Sequence, residues 1–217
     1  MAPFGGLALN FFQYGNPLVM AVNPDPLFPL TKDMNLIQRT INFLGIVTFN
    51  TLRYWLYLPK IEELVKEYFG PDLDLWQLDS TRGSLLFINS ENSIGYSRAY
   101  SPNIIPVGGM QIPKPKPLPT DLKRWMDEAE SGVIYFSLGS AVKGVNLPPE
   151  RRKALLNVFR NMKERILWKW EDDDMPDKPE NVQIGKWLPQ KDLLAHPKVK
   201  AFITQGGLLS TQVSNIY

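Results

Sequence analysis

Short apolar segments alternate with helical segments through the second half of the chain, and this alternation limits the fold more than any other feature. The apolar segments are predicted strands, at residues 132–137, 165–170, 181–184 and 199–204. The helical segments lie around them, at residues 122–129, from the pair Pro148-Pro149 onward, and at about residues 191–195. Because strands joined by helices form right-handed βαβ units, the pattern predicts an α/β fold with a parallel sheet.

The first half is less regular and is rich in proline. The chain has 19 prolines among 217 residues, well above the usual ~5%. Residues 16–30 are predicted to be an extended surface segment, whereas residues 58–69 are predicted to be helical, with short strands over 84–89 and 104–107. The segment IPKPKPLP, at residues 112–119, predicts a semi-rigid polyproline linker. We therefore expect one domain over residues 1–111, a linker over 112–120 and a second domain over 121–217.

Residues 41–58 are the longest hydrophobic stretch, but Asn42, Asn50 and Arg53 interrupt it. A membrane span needs about 18 uninterrupted apolar residues. We interpret the stretch as an amphipathic helix packed on the protein; the alternative is a helix in a membrane interface, which its tyrosines and tryptophan would suit. The opening residues have no basic start and no cleavage site, so we do not interpret them as a signal peptide.

Composition excludes several kinds of site. The chain has no cysteine and one histidine, His196, which excludes a disulfide scaffold, a thiolate metal site, a cysteine nucleophile and a multi-histidine metal centre. Twenty-four basic and 22 acidic side chains give a net charge of +2, too balanced to predict nucleic-acid binding. The acidic run at residues 171–174 invites a metal hypothesis, but we interpret it as a solvated loop.

Glycines follow two of the predicted strands. Gly139 lies between Ser137 and Ser140, and the pair Gly206-Gly207 precedes Ser210. Such glycines let the backbone approach a ligand, and the second pair is expected to open a helix whose N-terminus favours a phosphate. Neither glycine segment is a G-x-G-x-x-G or a P-loop motif, so both are explained as well by tight turns between strand and helix. The missing G-x-G-x-x-G motif also disfavours a nicotinamide-binding protein.

One stretch near the end is far more specific, with the pattern W-L-P-Q at residues 187–190, H-P at 196–197 and F-I-T-Q-G-G at 202–207. It resembles the nucleotide-sugar signature of the UDP-glycosyltransferase family, in the form of its animal and especially insect members. The likeness extends back through FSLGS at 136–140 and LWKW at 167–170. It implies a partial GT-B fold, with the end of an N-terminal Rossmann-like domain on the acceptor side and the first half of a C-terminal Rossmann-like domain that binds the UDP-sugar.

The resemblance also implies roles in donor binding. Trp187 corresponds to the indole that stacks on uracil, although a core position is the alternative, and Gln190 to the amide that binds the ribose and uracil region. Ser137 corresponds to a serine near the diphosphate. Lys169 corresponds to a basic residue beside the uracil end, the alternative being a solvated lysine at a strand end.

The phosphate side departs from the family at one position. Gln205 replaces the histidine that usually precedes Gly206 and Gly207, so its neutral N–H is expected to bind phosphate more weakly. Ser210 corresponds to the serine that reaches the β-phosphate. The resemblance implies no metal and no cofactor besides the UDP-sugar donor.

The family uses a histidine and an aspartate as catalytic base, and both are expected upstream of this chain. His196 is expected to be structural. Val213 stands where the family has a glutamate that holds the ribose. We interpret residues 213–217 as a departure from the family sequence that a retained intron or a gene-model artefact has introduced. We therefore expect a protein that transfers glucose or glucuronic acid from a UDP-sugar to a small lipophilic acceptor in detoxification, with this chain itself inactive. The alternative is a truncated, non-catalytic isoform that binds or modulates full-length members.

The resemblance also implies a cellular setting. Animal members act at the lumenal side of the endoplasmic reticulum membrane, whereas this chain is expected to lack the signal peptide and the membrane anchor. The implied partners are the UDP-sugar, the lipophilic acceptor and other family members in homo- or hetero-oligomers.

Overall fold

The chain divides into two units, Met1–Gly108 and Gly109–Tyr217. A computed structural model describes residues 8–17, 19–75, 77–78, 83–91, 93, 95 and 98–217. The first unit contains α1 (Ala8–Gln13), α2 (Leu36–Leu52), α3 (Leu58–Phe69), β1 (Leu86–Ile88) and β2 (Ile104–Pro106). The two strands pair in parallel. The predicted bounds of α3 are confirmed, and both strands lie within their predicted segments.

A π-helical segment, Arg53–Tyr57, joins α2 to α3 without interrupting the helix. Pro59 stands in the first turn of α3. Proline has no N–H to donate, and its ring crowds the carbonyl four residues earlier, so a wider turn ahead of it relieves the conflict. The N–H of Leu58 accordingly donates to the carbonyl of Arg53, five residues back.

The α2 helix packs on its unit through Asn42, which is fully buried, and Ile46, which is nearly so. Other apolar side chains of the stretch are exposed, with Ile41 at 51% and Leu44 at 54%. The predicted helix therefore exists and packs on the protein, but the polar residue on its inward face and the apolar residues on its exposed face were not predictable from hydrophobicity. Within the part of the chain that is described, every helix is too short or too polar to cross a bilayer.

Hydrogen bonds from Asn42 explain why residues 16–30 are not the extended segment predicted from their prolines. Its amide nitrogen donates to the carbonyls of Met20 (2.7 Å) and Asn23 (3.0 Å). Its amide oxygen accepts the N–H of Asp25 at 3.0 Å, and Asp25 is itself only 3% exposed. Residues 19–30 therefore fold into turns against α2, so the predicted extended conformation is wrong, although exposed side chains such as Val22 and Leu27 agree with the predicted surface position.

The second unit confirms the α/β prediction. Its elements are α4 (Thr120–Asp127), β3 (Val133–Ser137), α5 (Pro149–Arg160), β4 (Arg165–Lys169), β5 (Val182–Gly185), α6 (Gln190–Leu194), β6 (Val199–Thr204) and α7 (Leu208–Ile216). The strands form a four-stranded sheet in the order β5-β4-β3-β6, with every pair parallel.

Alternation along β3 divides the core into two layers. Ile134 and Phe136 face a cluster that contains the α5 residues Leu156 and Phe159. Tyr135, with Val133, faces the opposite cluster, which contains residues of α4 and α6. Because side chains two apart on a strand share a face, Ser137 at the end of β3 shares the face of Tyr135.

The proline segment at 112–119 is bound along the second unit. The N–H of Lys116 donates to Asp192 Oδ1 at 2.7 Å, and the phenol of Tyr217 donates to the carbonyl of Pro113 at 3.1 Å. Leu118 packs against the α4/α6 core cluster. The division between units falls before this segment, and the assignment of acceptor and donor roles to the two units stays a prediction.

Candidate functional site

A cleft of about 360 Å³ opens at the carboxyl ends of β3 and β4. It lies within the second unit, and the first turns of α6 and α7 complete its wall. Five predicted site residues line it together: Ser137, Lys169, Trp187, Gln190 and Ser210. Ligands of open α/β sheets bind at this edge, where loops and helix N-termini offer free backbone N–H groups.

Trp187 follows β5 and is 80% exposed at the cleft. A core tryptophan would be buried, so the alternative interpretation of Trp187 as a core residue is wrong. An exposed indole beside a cleft of polar side chains provides a flat surface on which an aromatic ring can stack.

Lys169 is held by Glu171 and is not a solvated lysine. Its Nζ lies 2.8 Å from Glu171 Oε1, and the two side chains are only 11% and 19% exposed. The same carboxylate accepts the N–H of Val145 at 3.3 Å. Burial acts to raise the pKa of Glu171, but the hydrogen bonds from Lys169 and from the Val145 N–H outweigh it, so the pKa lies below its ordinary value. The first residue of the acidic run is thus part of the cleft's support, while Asp172, Asp173 and Asp174 are exposed.

A series of hydrogen bonds runs along the floor of the cleft. The N–H of Gly139 donates to Ser137 Oγ at 3.3 Å, and Gln190 Nε2 donates to Ser210 Oγ at 3.0 Å. The phenol of Tyr135 donates to the other end of the same amide, Gln190 Oε1, at 3.4 Å. Burial raises the pKa of Tyr135, which keeps its phenol protonated at neutral pH.

Tyr135 lies outside the residues that the sequence motif indicates. The signal that points to it is its position two residues before Ser137 on one strand, because such residues share a face.

Gln205, Gly206 and Gly207 lie between β6 and α7 and do not line the cleft. The Gln205 side chain nevertheless reaches toward the end of β3, since a Cβ added to Gly139 would lie 3.6 Å from Gln205 Nε2. Gly139 and Gly206 have φ values of +84° and +81°, a region where other residues are strained. Both turns therefore depend on glycine whether or not a ligand is bound.

His196 lies outside the cleft lining. Its Nε2 is 3.2 Å from Asp127 Oδ1, and its Nδ1 accepts the N–H of Lys198 at 3.3 Å. Since Nδ1 accepts, the neutral imidazole carries its hydrogen on Nε2 and donates it to the carboxylate. The ring joins the end of α4 to the turn before β6, which supports a structural role.

Val213 faces the interior of the second unit. It packs against the α4/α6 core cluster. The neighbouring Gln212 is 2% exposed, and its Oε1 accepts a hydrogen bond from Gln111 Nε2 at 2.9 Å.

Among the residues that the structure describes, no three His, Asp or Glu side chains converge to form a metal site.

Comparison with known proteins gives one consistent family. A sequence model described as "UDP-glucoronosyl and UDP-glucosyl transferase" matches residues 10–214. The UDP-glycosyltransferase UGT5 of Dactylopius coccus is 36% identical over 201 residues, which are 92% of this chain and 38% of the relative. A UDP-glucuronosyltransferase of Pleuronectes platessa is 34% identical over 188 residues, 85% of this chain and 39% of that protein.

The solved structures agree on the fold. The spinosyn forosaminyltransferase SpnP superimposes with a TM-score of 0.51 at 14% identity, over 80% of this chain and 45% of that one. Such neighbours are GT-B glycosyltransferases, so the parallel α/β architecture described above is part of a GT-B fold. The chain spans about two fifths of the length of the curated relatives that it matches.

Proposed function

The chain belongs to the UDP-glucuronosyl and UDP-glucosyl transferase family, and we propose that its protein transfers glucose or glucuronic acid from a UDP-sugar to a small lipophilic acceptor. The observation that carries this proposal is the cleft in which Trp187 is exposed beside Ser137, Gln190 and Ser210. Enzymes of this family use the UDP-sugar itself as donor and need no cofactor.

Each side chain of the cleft has a role suited to its chemistry. Trp187 stacks on uracil, and Gln190, which can both donate and accept, binds the ribose. Lys169, kept in place by Glu171, lies at the uracil end. Ser137 and Ser210 donate to the diphosphate, and Gln205 with the backbone of Gly206 and Gly207 adds neutral donors from the end of β6.

The reaction is a direct displacement at the anomeric carbon. An acceptor oxygen forms the new bond to that carbon, and the bond from the carbon to the β-phosphate oxygen breaks, with its electron pair leaving on UDP. Donors fixed around the diphosphate stabilise the charge that develops there. The acceptor's proton must go to a base.

This chain offers no histidine base at the cleft. Its one histidine, His196, is bonded to Asp127 outside the cleft lining. We infer that the family's histidine and aspartate supply the base, and that the 217-residue chain alone has no transferase activity.

The same observation favours a second function, that of a non-catalytic protein which binds or modulates active family members. Adding the purified chain to an active member tests it. A change in the rate of sugar transfer, saturating with the chain's concentration, would support modulation, whereas an unchanged rate would contradict it.

The relationship to UDP-glucuronosyltransferases also suggests the location and the partners. We propose action at the lumenal side of the endoplasmic reticulum membrane, on lipophilic compounds in detoxification, in homo- or hetero-oligomers with family members. Protease protection of the protein in sealed microsomes would support the lumenal location, and digestion without detergent would contradict it.

Titration of the chain with UDP tests the donor site. We expect weak binding that Trp187→Ala reduces by roughly 5- to 150-fold, since stacking on a base contributes ~1–3 kcal/mol. Trp55→Ala is the matched control, because Trp55 is 77% exposed, much like Trp187, but lies in the first unit. Equal UDP affinity in the wild type and in Trp187→Ala, or no UDP binding at all, would contradict the proposed site.

A further inference from the structure

We propose that Tyr135 is a positioning residue of the donor site, which aims the hydroxyl hydrogen of Ser210 at the diphosphate by way of Gln190. The proposal rests on the proposed function, because it takes the ligand of the cleft to be a UDP-sugar. It goes further in assigning a role in phosphate recognition to a buried phenol in the middle of β3.

The ring of Tyr135 is held rigidly in the floor of the cleft. The residue is fully buried in the α4/α6 core cluster, yet it lines the cleft through its polar end. Its ring stacks on Phe202 with centroids 5.1 Å apart and planes 8° from parallel. The phenol oxygen therefore has a fixed position between the ends of β3 and α6.

The direction of the hydrogen bonds follows from the Gln190 amide. An amide oxygen can only accept, so the phenol of Tyr135 donates its single hydrogen to Gln190 Oε1, at 3.4 Å.

The hydrogen bond from Gln190 to Ser210 determines whether the Ser210 hydroxyl can donate to a ligand. With Oε1 of Gln190 turned toward the phenol, its Nε2 donates to Ser210 Oγ at 3.0 Å. Ser210 therefore accepts along the series, and its own hydrogen is available to an acceptor in the cleft. The oxygens of a diphosphate are acceptors only. With the opposite direction, Ser210 would donate to Gln190 and present lone pairs to the phosphate, which would repel it.

Replacement of the phenol tests this role. Tyr135→Phe keeps the ring and its stacking but removes the link, so the Gln190 amide and the Ser210 hydroxyl lose their fixed direction. We expect UDP affinity to fall roughly 3- to 10-fold, the size of one hydrogen bond. Affinity for uridine, which keeps the ribose that Gln190 binds but has no phosphate, is expected to fall less than that for UDP. Tyr217→Phe is the matched control, because its phenol also donates to a partner, the carbonyl of Pro113, away from the cleft.

Both ligands are titrated by ligand-observed NMR with the full chain, and Ser210→Ala is measured alone and combined with Tyr135→Phe. If Tyr135 acts through Ser210, the two losses of UDP affinity are not additive, and the double variant resembles Ser210→Ala. Additive losses, or equal losses for UDP and uridine, would overturn the positioning role.

Two further outcomes separate this inference from the proposed function. Wild-type UDP affinity in Tyr135→Phe would overturn the inference and leave the proposed function standing. Failure of the wild-type chain to bind UDP would overturn both.

Discussion

The imidazole Nε2 of His196 lies 3.2 Å from Oδ1 of Asp127, outside the cleft that holds the candidate donor site. A histidine bonded to a carboxylate is a common arrangement for a general base in enzymes. Here they fasten the end of α4 to the turn before β6, because the imidazole is only 9% exposed and its other nitrogen accepts a backbone N–H.

We predict that His196→Ala lowers the free energy of unfolding by about 1–2 kcal/mol and leaves UDP affinity within about twofold of the wild type. Urea unfolding followed by fluorescence and a UDP titration measure the two quantities. Loss of UDP binding in a variant that unfolds like the wild type would mean that His196 belongs to the donor site.

We predict that Asn42→Leu destabilises the chain although it makes a helix more hydrophobic. The substitution leaves the carbonyls of Met20 and Asn23 and the N–H of Asp25 without their partner. One buried and two partly buried polar groups without their partner should cost about 2–4 kcal/mol. Ile37→Gln on the same helix is the control: Ile37 is 70% exposed, so its replacement should change the unfolding free energy by less than ~0.5 kcal/mol. Equal stability of the two variants would contradict the burial of Asn42.

We predict that Lys116→Pro destabilises the second unit by about 1–2 kcal/mol, because it removes the N–H bonded to Asp192. Lys114→Pro is a matched control, since Lys114 also stands between two prolines and its N–H does not bond to Asp192. Thermal unfolding of both variants distinguishes them. If Lys116→Pro unfolds at the temperature of Lys114→Pro, the segment is a linker and not part of the folded unit.

We predict that Glu171→Gln removes a contribution to stability that depends on pH. The pKa of Glu171 in the folded chain lies below its ordinary value of 4.5. The stability that the Glu171 carboxylate contributes is therefore complete above a pH of about 4.5, and it is lost as the pH falls through the lower pKa of the folded chain. The difference in unfolding free energy between wild type and Glu171→Gln should therefore shrink between pH 7 and pH 3. Glu180→Gln, at an exposed position, should show a smaller and flatter difference; a constant difference for Glu171→Gln would contradict the lowered pKa.

The second unit was largely predictable from its sequence, and the reason is physical. Each of its strands is a short apolar run bounded by glycine, proline or polar residues, and the alternation of such runs with helical segments favours a parallel sheet. The predicted bounds of β6 agree with the structure, and those of β4 and β5 agree to within about one residue.

Features that join residues distant in sequence were not predictable. The inward face of α2 depends on hydrogen bonds to carbonyls some twenty residues away. The hydrophobic pattern of the helix contains no information about these partners. The bond from Lys116 to Asp192 and the link from Tyr135 to Gln190 are of the same kind. At the cleft, five predicted residues lie among those that line it, but the sequence did not indicate Tyr135, nor that Gln205 and its glycines lie outside the lining.

The position of β3 in the sheet has a consequence for folding. β3 is the first strand of its unit along the chain, and it pairs with both β4 and the last strand, β6. During synthesis, one edge of β3 therefore has no partner until the ribosome has released nearly the whole unit. Parallel pairing over such a separation is slow, so a nascent chain exposes this edge of β3 to wrong pairing until β6 has been made.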